Sequence, residues 1–483
     1  MGMNRLCSYL GAVVGLALAS DAAALIHDGD FDASYGIFGK ALNLFPGNLP
    51  VYPGFYIGPV VLPDGKLLVA ASRYTTSTNA DFGVLRLNAS GGIDTTFGVN
   101  GSAVYAFNRA SSGKNDVVSG MALQSTGKIL VAGTIDGDSS TGMDMAVVRF
   151  KSGGTLDTTF GNSGKAIVQF NLGDCGNINI PTACDDQELQ ISVDASDRIL
   201  VTGQANTTQS VTTSTDAFAL VRLTAGGIRD TTFGNVGRVT MTFVNGDEAR
   251  SLQARQLADG QHILIIGGAN LVAQGTNYDF ALAKLDDLGH PDTSFGNGGK
   301  VTYGFDIGGA MQDFATDFVE LPDGKLFVCG VAQVNNPNNF DFACMQFLAN
   351  GTPDPAFVPA IVPFDLGADY QDLSYVLRRD SQGRFLLAGA AARASNNTDM
   401  AVARLLPSGA LDPHFGNGGI KTINSHTILT STDFDNGAYG IAIQPDEKII
   451  IAGTAVYNAT GNAEFEVVRL YGDIIFSDDF EVH

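Results

Sequence analysis

The sequence contains no tryptophan, only five cysteines and few charged residues, which are 16% of the chain against about 25% in an average soluble protein. Acidic residues outnumber basic ones by 50 to 28, giving a net charge of −22. Nucleic acid is therefore excluded as an expected partner, because its phosphates would be repelled. The lack of tryptophan weighs against a sugar site built on aromatic stacking.

The only long apolar stretch lies at the N-terminus, where Arg5 precedes an apolar run at 10–19 and a set of small residues. This order is typical of an export signal, and the run is too short to cross a membrane, which takes about 20 residues. We expect residues 1–24 to be a signal peptide. The mature protein would then be exported, as a secreted, periplasmic or cell-surface protein of a bacterium without a membrane span.

Cysteine usage agrees with an oxidising compartment. Cys175 and Cys184 bracket a short loop and are predicted to form a disulfide. Cys329 and Cys344 fall on consecutive predicted strands, and we expect them to be buried free thiols, as unpaired cysteines usually are.

Signatures of common catalytic sites are also missing. The chain has no GxxxxGK[ST] loop, no GxSxG elbow, no HExxH and no CxxC, and its six histidines are scattered singly. No catalytic residue is predicted from these patterns, and no cofactor is certain.

What the sequence does contain is a repeated turn. Versions of "DTTFGNSGK" start near residues 32, 94, 157, 230, 292, 354 and 412. Two further signatures, "PDGKLLVA" and "DFGVLRL", keep pace with it and also occur seven times. The first turn is a loose copy, and the one at 354 has lost both glycines. A recurring unit of about 60 residues predicts a repeat architecture.

Each unit carries four strand patterns. An alternating stretch follows the turn, as at Val239, Met241 and Phe243; a second leads into "PDG", a third leaves it, and "DFGVLRL" is the fourth. Seven units of four antiparallel strands predict an all-β fold, a seven-bladed β-propeller forming one domain over 25–470, with a C-terminal tail at 471–483. An open β-solenoid is the alternative fold.

The three signatures, in fixed order, resemble the delta-60 repeat family of bacterial, mostly exported proteins. The resemblance covers nearly all of the mature chain and implies a propeller-type fold. It supplies no catalytic residues.

A basic residue ending the fourth pattern stands eight positions before the aspartate of the next turn. We predict structural ion pairs between them, because guanidinium and carboxylate groups match each other closely. The pairs are Arg86 with Asp94, Arg149 with Asp157, Arg222 with Asp230, Lys284 with Asp292, and Arg404 with Asp412.

Four cations begin the strand after the turn, namely Lys40, Lys165, Arg238 and Lys300. If that strand is the innermost of its blade, they would ring a channel mouth and bind an anionic ligand. The alternative is that they are solvated residues at strand ends, which discourage edge-to-edge association.

Calcium is the one metal that the pattern favours. Asp28, Asp30 and Asp32, and further along Asp136, Asp138 and Asp144, place carboxylates at alternating positions that suit a hard cation. Neither group completes an EF-hand loop.

Taken together, these patterns favour a secreted, monomeric, non-enzymatic β-propeller that acts as a binding or scaffolding module for an extracellular protein or polymer. The alternatives are an extracellular hydrolase or lyase with its site in the central channel, and a structural surface protein.

Overall fold

A computed structural model describes sixteen stretches of the chain. They are 26–42, 51–52, 58–76, 79–107, 116–136, 143–170, 186–206, 216–243, 249–271, 277–307, 312–335, 339–366, 371–394, 397–424, 436–456 and 463–473. The predicted signal peptide, Cys175, Cys184, Asp138 and most of the tail lie outside these residues. None of the described residues belongs to a helix, and so none forms a helix able to cross a membrane.

The regular secondary structure of the described residues consists of strands. In chain order these are β1 (Lys40–Ala41), β2 (Val51–Tyr52), β3 (Val60–Val61), β4 (Leu67–Thr76), β5 (Asn79–Leu87), β6 (Ser102–Tyr105), β7 (Val117–Leu123), β8 (Ile129–Asp136), β9 (Met143–Phe150), β10 (Lys165–Val168), β11 (Asp186–Val193), β12 (Ile199–Asn206), β13 (Asp216–Leu223), β14 (Arg238–Met241), β15 (Ala249–Gln256), β16 (His262–Asn270), β17 (Tyr278–Asp286), β18 (Lys300–Tyr303), β19 (Asp313–Glu320), β20 (Leu326–Gln333), β21 (Phe340–Phe347), β22 (Ala360–Val362), β23 (Asp372–Arg379), β24 (Phe385–Ala394), β25 (Asn397–Leu405), β26 (Ile420–Ile423), β27 (Gly437–Ile443), β28 (Ile449–Val456) and β29 (Ala463–Leu470).

These strands build seven antiparallel sheets, so the protein is a seven-bladed β-propeller, as the sequence predicted. We letter the strands of each blade A to D from one edge to the other. Blades 2 to 6 run in chain order from β7 to β26, and in blade 1 the short β2 and β3 both pair with β4 at the A position. Strands of type A from neighbouring blades pack against one another, which places them around the central channel.

Burial explains the sequence patterns. Strands B and C are covered on both faces by neighbouring blades, so every residue of β13, β20 and β21 is buried. Strand D lies at the outer edge, where β10 alternates between half-buried and buried residues. The continuous apolar runs are therefore B and C strands, and the alternating stretch after the turn is strand D.

The ring closes with the N-terminal strand. Blade 7 has the order β27, β28, β29 and β1, with Lys40 opposite Val468 and Ala41 opposite Val467. The repeats alone did not decide how the ring closes, and the structure shows that the closing strand, β1, directly follows the first turn near the N-terminus. The sequence unit starts at the C–D turn, so the D strand that opens each unit belongs to the preceding blade.

The C–D turn joins neighbouring blades as well as two strands. Phe160 is fully buried and packs on the next blade, where a Cβ added to Gly227 would lie 2.4 Å from its ring. Gly227 also has a φ of +82°, so both space and backbone require glycine. Tyr35 takes the place of this phenylalanine in the loose first turn and is also fully buried.

Blade 5 carries a disulfide. Cys329 on β20 and Cys344 on β21 face each other in register, with Cα atoms 4.1 Å apart, and their sulfurs are bonded. The expectation of free thiols is wrong because the two side chains lie on the same face of adjacent strands, a relation that spacing along the chain does not reveal.

Candidate functional site

The central channel contains a cavity of about 160 Å³ to which all seven blades contribute. Its wall is formed by the A strands and the chain just before β3. One lining residue from each blade, in order, is Val60, Met121, Gln190, Gln253, Asp317, Tyr375 and Tyr439.

Charge in this cavity comes from three side chains on consecutive A strands: Arg255 of blade 4, Asp317 of blade 5 and Arg378 of blade 6. Arg378 Nη1 lies 2.9 Å from Asp317 Oδ2, and Arg255 Nη2 donates to Asp317 Oδ1. The Asp317 carboxylate also accepts the backbone N–H groups of Phe318 (2.8 Å) and Leu377 (3.0 Å). One buried carboxylate therefore ties three blades together.

The two arginines are enclosed by protein but still contact solvent in the cavity. Their side chains are 32% exposed for Arg255 and 36% for Arg378, against 3% for Asp317. Burial, and then the charge of Arg378, lowers the pKa of Arg255 to about 9, while burial lowers the pKa of Arg378 to about 10. Both groups therefore carry positive charge at neutral pH, and a nearby negative charge would stabilise them.

A β-bulge shapes the cavity wall. In β19, β23 and β27 the pairing with strand B shifts by one residue, and the extra residues are Thr316, Tyr375 and Tyr439. Bulges redirect side chains, and the rings of Tyr375 and Tyr439 stack with centroids 5.0 Å apart. The wall thus presents a stacked tyrosine pair from blades 6 and 7.

The four cations predicted to ring the channel lie elsewhere. Lys40, Lys165, Arg238 and Lys300 all open D strands, at the edge of the blade farthest from the channel. Arg238 donates to the carbonyls of Gln169 and Phe170, and Lys300 to that of Thr242, in each case on the preceding blade. The hypothesis needed strand D to be innermost, and strand D is outermost, so these residues form no channel ring.

The predicted ion pairs form salt bridges with short distances. They measure 2.8 Å for Arg86 and Asp94, 2.9 Å for Arg149 and Asp157, 2.8 Å for Arg222 and Asp230, 3.1 Å for Lys284 and Asp292, and 2.8 Å for Arg404 and Asp412. Sequence spacing missed a sixth pair, Arg469 with Asp32 at 2.9 Å, because ring closure brings together residues from opposite ends of the chain.

The side-chain positions of Asp28, Asp30 and Asp32 do not support the first predicted calcium site. Asp28 binds Arg404, Asp30 accepts the backbone N–H of His27, and Asp32 binds Arg469, so the three carboxylates do not converge. In the second group, Asp144 accepts from Gln169, and Asp138 lies outside the described residues, as does the side chain of Asp136. Within the described ranges, no three His, Cys, Asp or Glu side chains are placed to hold a metal ion.

A cluster of carboxyl groups that sequence reasoning did not single out lies between blades 4 and 5. Burial, then the charge of Asp306, raises the pKa of Asp279 to about 6, and burial raises that of Asp313 to about 6. A Cβ added to Gly304 would lie 3.1 Å from Asp279 Oδ1 and 3.2 Å from Asp306 Oδ1. Glycine at position 304 therefore leaves room for the Asp279 and Asp306 carboxylates to lie close together. Repulsion between the like charges makes their ionised forms less stable.

The channel residues were also missed, although a signal was present. Aligning the repeats on the "PDG" turn puts Arg255 and Arg378 at a position that holds Ala122, Val319 and Ala442 in other blades. Two arginines at a position that is otherwise small or apolar mark an exception to the repeat. Their convergence on Asp317 could be found only in three dimensions.

Part of the sequence matches a family described as "Domain of unknown function (DUF5122) beta-propeller". The matched stretches are 62–97, 124–160, 321–357, 383–415 and 444–473. These matches and the seven sheets agree that the chain is a β-propeller repeat protein. No curated protein matches the sequence.

Several solved structures resemble the fold at low identity. They include an ulvan lyase bound to a GlcA(1-4)Rha3S saccharide (11% identity, TM-score 0.48, covering 88% of this chain and 95% of that one), the polysaccharide lyase Uly1 (11%, 0.47, 93% and 97%), and a protein of unknown function from Dyadobacter fermentans (10%, 0.43, 90% and 98%). TM-scores below 0.5 at these identities are too low to transfer an activity or a ligand.

Proposed function

We propose that the protein is an exported, non-enzymatic binding module that holds its ligand at the central channel. The observation that supports this most is the cavity itself, because every blade contributes to it and its wall mixes charged, polar and aromatic side chains. Concave sites with a few converging polar groups are where proteins commonly bind small ligands.

The composition of the wall favours binding over hydrolysis. Most glycoside hydrolases need two carboxyl groups, about 5 to 10 Å apart, for acid, base or nucleophile. Among the described residues that line the cavity, Asp317 is the only carboxylate, and no histidine is present. Asp317 is also engaged by two arginines and two backbone N–H groups, which leaves it poorly suited to transfer protons.

The test is to incubate the purified mature protein with a panel of extracellular polysaccharides, acidic and neutral, and to measure retention and product release together. We expect retention of at least one polymer without new reducing ends or unsaturated products. The Tyr375→Ala variant should lose retention, whereas Val358→Ala, at a residue 78% exposed outside the cavity, should keep it. Product release that disappears in the Tyr375→Ala variant would establish an enzyme, and retention by no polymer would contradict the binding module.

A further inference from the structure

We infer that the channel cavity binds an anionic group, a carboxylate or a sulfate or phosphate ester, between Arg255 and Arg378. This inference rests on the proposed function, since it names the ligand chemistry of the same cavity. It begins from a contrast in charge. The protein as a whole has a net charge of −22, yet the charged residues of the cavity wall are two arginines and one aspartate, a formal excess of one positive charge.

Both arginines keep hydrogen-bonding capacity after binding Asp317. Arg255 Nε is buried and has no hydrogen-bond partner, while its guanidinium lies 4.5 Å from the ring centre of Phe318, which fixes its plane. Arg378 directs Nη1 to Asp317 and to the Leu377 carbonyl. Because Arg255 Nε does not contact solvent, the donors available to an oxyanion are the other N–H groups of the two guanidiniums, whose side chains are partly exposed in the cavity.

Space for that oxyanion lies beside Arg378. Gly58 of blade 1 and Arg378 both line the cavity, and a Cβ added to Gly58 would contact Arg378 Nη2 at 3.5 Å, so this nitrogen lies at the blade 1 side of the cavity. Guanidinium groups bind carboxylates and phosphates through paired N–H donors, which makes two arginines at one cavity a strong oxyanion site.

The size of the cavity limits what enters. At about 160 Å³ it is smaller than the roughly 300–1,000 Å³ of sites that enclose a whole small molecule. The cavity therefore takes one charged group of a larger ligand, and the stacked Tyr375 and Tyr439 rings provide an apolar wall for the part next to it.

The competing explanation is structural, because Arg255, Asp317 and Arg378 also tie blades 4, 5 and 6 together. The two explanations predict different effects of the Asp317→Asn substitution on anion binding. If the site binds anions, Asp317→Asn removes the only negative charge among the described residues of the wall and should raise anion affinity. If the cluster serves only to hold the blades, the same variant lowers stability and leaves anion binding unchanged.

The experiment uses isothermal titration of the mature protein with glucuronate, galacturonate, glucose 6-sulfate and glucose 6-phosphate, with glucose as the uncharged probe. We expect at least one acidic sugar to bind, with an affinity that falls as salt is added, and glucose not to bind. Arg255→Gln and Arg378→Gln should each weaken binding about tenfold, and Asp317→Asn should strengthen it.

The matched control is Arg379→Gln, because Arg379 follows Arg378 on the same strand, is exposed and does not line the cavity. Circular dichroism and thermal melting establish that each variant is folded, and Arg378→Lys serves as a charge-preserving substitute should Arg378→Gln not fold. The inference would be overturned if no acid bound, or if glucose bound as tightly as the acids. It would also be overturned if Arg379→Gln weakened acid binding as much as Arg378→Gln, or if Asp317→Asn left acid affinity unchanged. Retention of a neutral polymer that is sensitive to Tyr375→Ala would leave the binding module standing while the anion site fails.

Discussion

At the scale of single residues, the aspartate of each C–D turn divides its two oxygens between two tasks. Asp157 Oδ1 accepts the N–H and hydroxyl of Thr159, while Oδ2 accepts from Arg149 at 2.9 Å and Lys128 at 3.0 Å. Burial alone would raise the pKa of Asp157, but the hydrogen bonds from Thr159 and Lys128 and the charge of Arg149 outweigh it and hold the pKa well below its usual value. The turn and the salt bridge therefore depend on the same ionised group.

Arg149→Ala should lower the free energy of unfolding by about 3–5 kcal/mol, because it removes a buried guanidinium that binds Asp157, Gln124 and the Ala225 carbonyl of the next blade. Urea denaturation of the protein measures the change, and Lys151→Ala, at an exposed turn residue, should have little effect. A loss under about 1 kcal/mol would mean that the pair behaves as a solvated contact.

The buried carboxyl groups between blades have raised pKa values, whereas the pKa of the turn aspartate Asp157 is lowered. Burial raises the pKa of Asp279 and Asp313 to about 6 and that of Asp372 to about 7, so the native state binds protons that the unfolded state has released at the same pH. Stability should therefore rise as pH is lowered from about 7 to about 4, and fall at lower pH where the turn aspartates become protonated.

The Asp279→Asn variant tests the predicted direction of this pH dependence. The variant removes a charge that is unfavourable in the native state, so it should be more stable than the parent at pH 7 and show a flatter pH profile, measured as melting temperature between about pH 4 and pH 8. An unchanged profile would show that Asp279 titrates normally.

At the scale of elements, the sequence predicted the strands well and their places in the blade poorly. The runs that became β13 and β20 and the alternating stretch of β10 were recognisable, because burial on two faces or one leaves a direct imprint on residue type. Which strand lies innermost leaves no such imprint, since strands A and D are both sheet edges. Lys165 and Arg238 were therefore predicted near a channel that Arg255 and Arg378 occupy.

Blade 5 is the element where the repeat pattern is weakest. Its turn lacks the glycines, Gln346 stands in place of arginine and hydrogen-bonds Asp354 at 2.7 Å, and its D strand, β22, has three residues. The disulfide between Cys329 and Cys344 lies in this blade and links strands B and C. We interpret it as a local reinforcement of a blade whose C–D turn lacks the arginine and the glycines found in most other turns.

Replacing both cysteines by residues of sister repeats, Cys329→Ala with Cys344→Val, should lower the free energy of unfolding by about 3 kcal/mol, the effect expected for a loop of this size. The separation is 15 residues along the chain. Urea denaturation measures the loss, and thiol titration of the denatured parent should find these two cysteines oxidised. Two free thiols there would contradict the disulfide.

At the scale of the whole molecule, most blade interfaces contain the same type of hydrogen bond. The arginine that ends strand C also reaches a backbone carbonyl of the next blade, in Arg86 to Ser152, Arg149 to Ala225, Arg222 to Asp287, Arg404 to Gly472 and Arg469 to Ala89. Blades 4 and 5 have Lys284 and Gln346 at this position, which among the described residues bind only within their own blade. The channel cluster of Arg255, Asp317 and Arg378 spans those same interfaces.

Ring closure depends on a buried pair in blade 7. Lys40 Nζ lies 3.3 Å from Glu466 Oε1, and their side chains are 4% and 0% exposed. Lys40→Met should therefore cost about 3–5 kcal/mol, whereas Lys40→Met combined with Glu466→Leu should recover most of that loss, because no buried charge is then left alone. Thermal melting measures both, and a double variant no better than the single one would contradict this account.

The closing strand has a further consequence for how the chain could be rearranged. Since β1 and β29 are neighbours in one sheet, the first and last strands of the described chain lie in the same blade. A circular permutant, opened at another connection and joined through a linker between the present ends, would keep every interface. If the new opening lies between strands C and D of another blade, that blade replaces blade 7 as the sheet that must wait for two distant parts of the chain to meet.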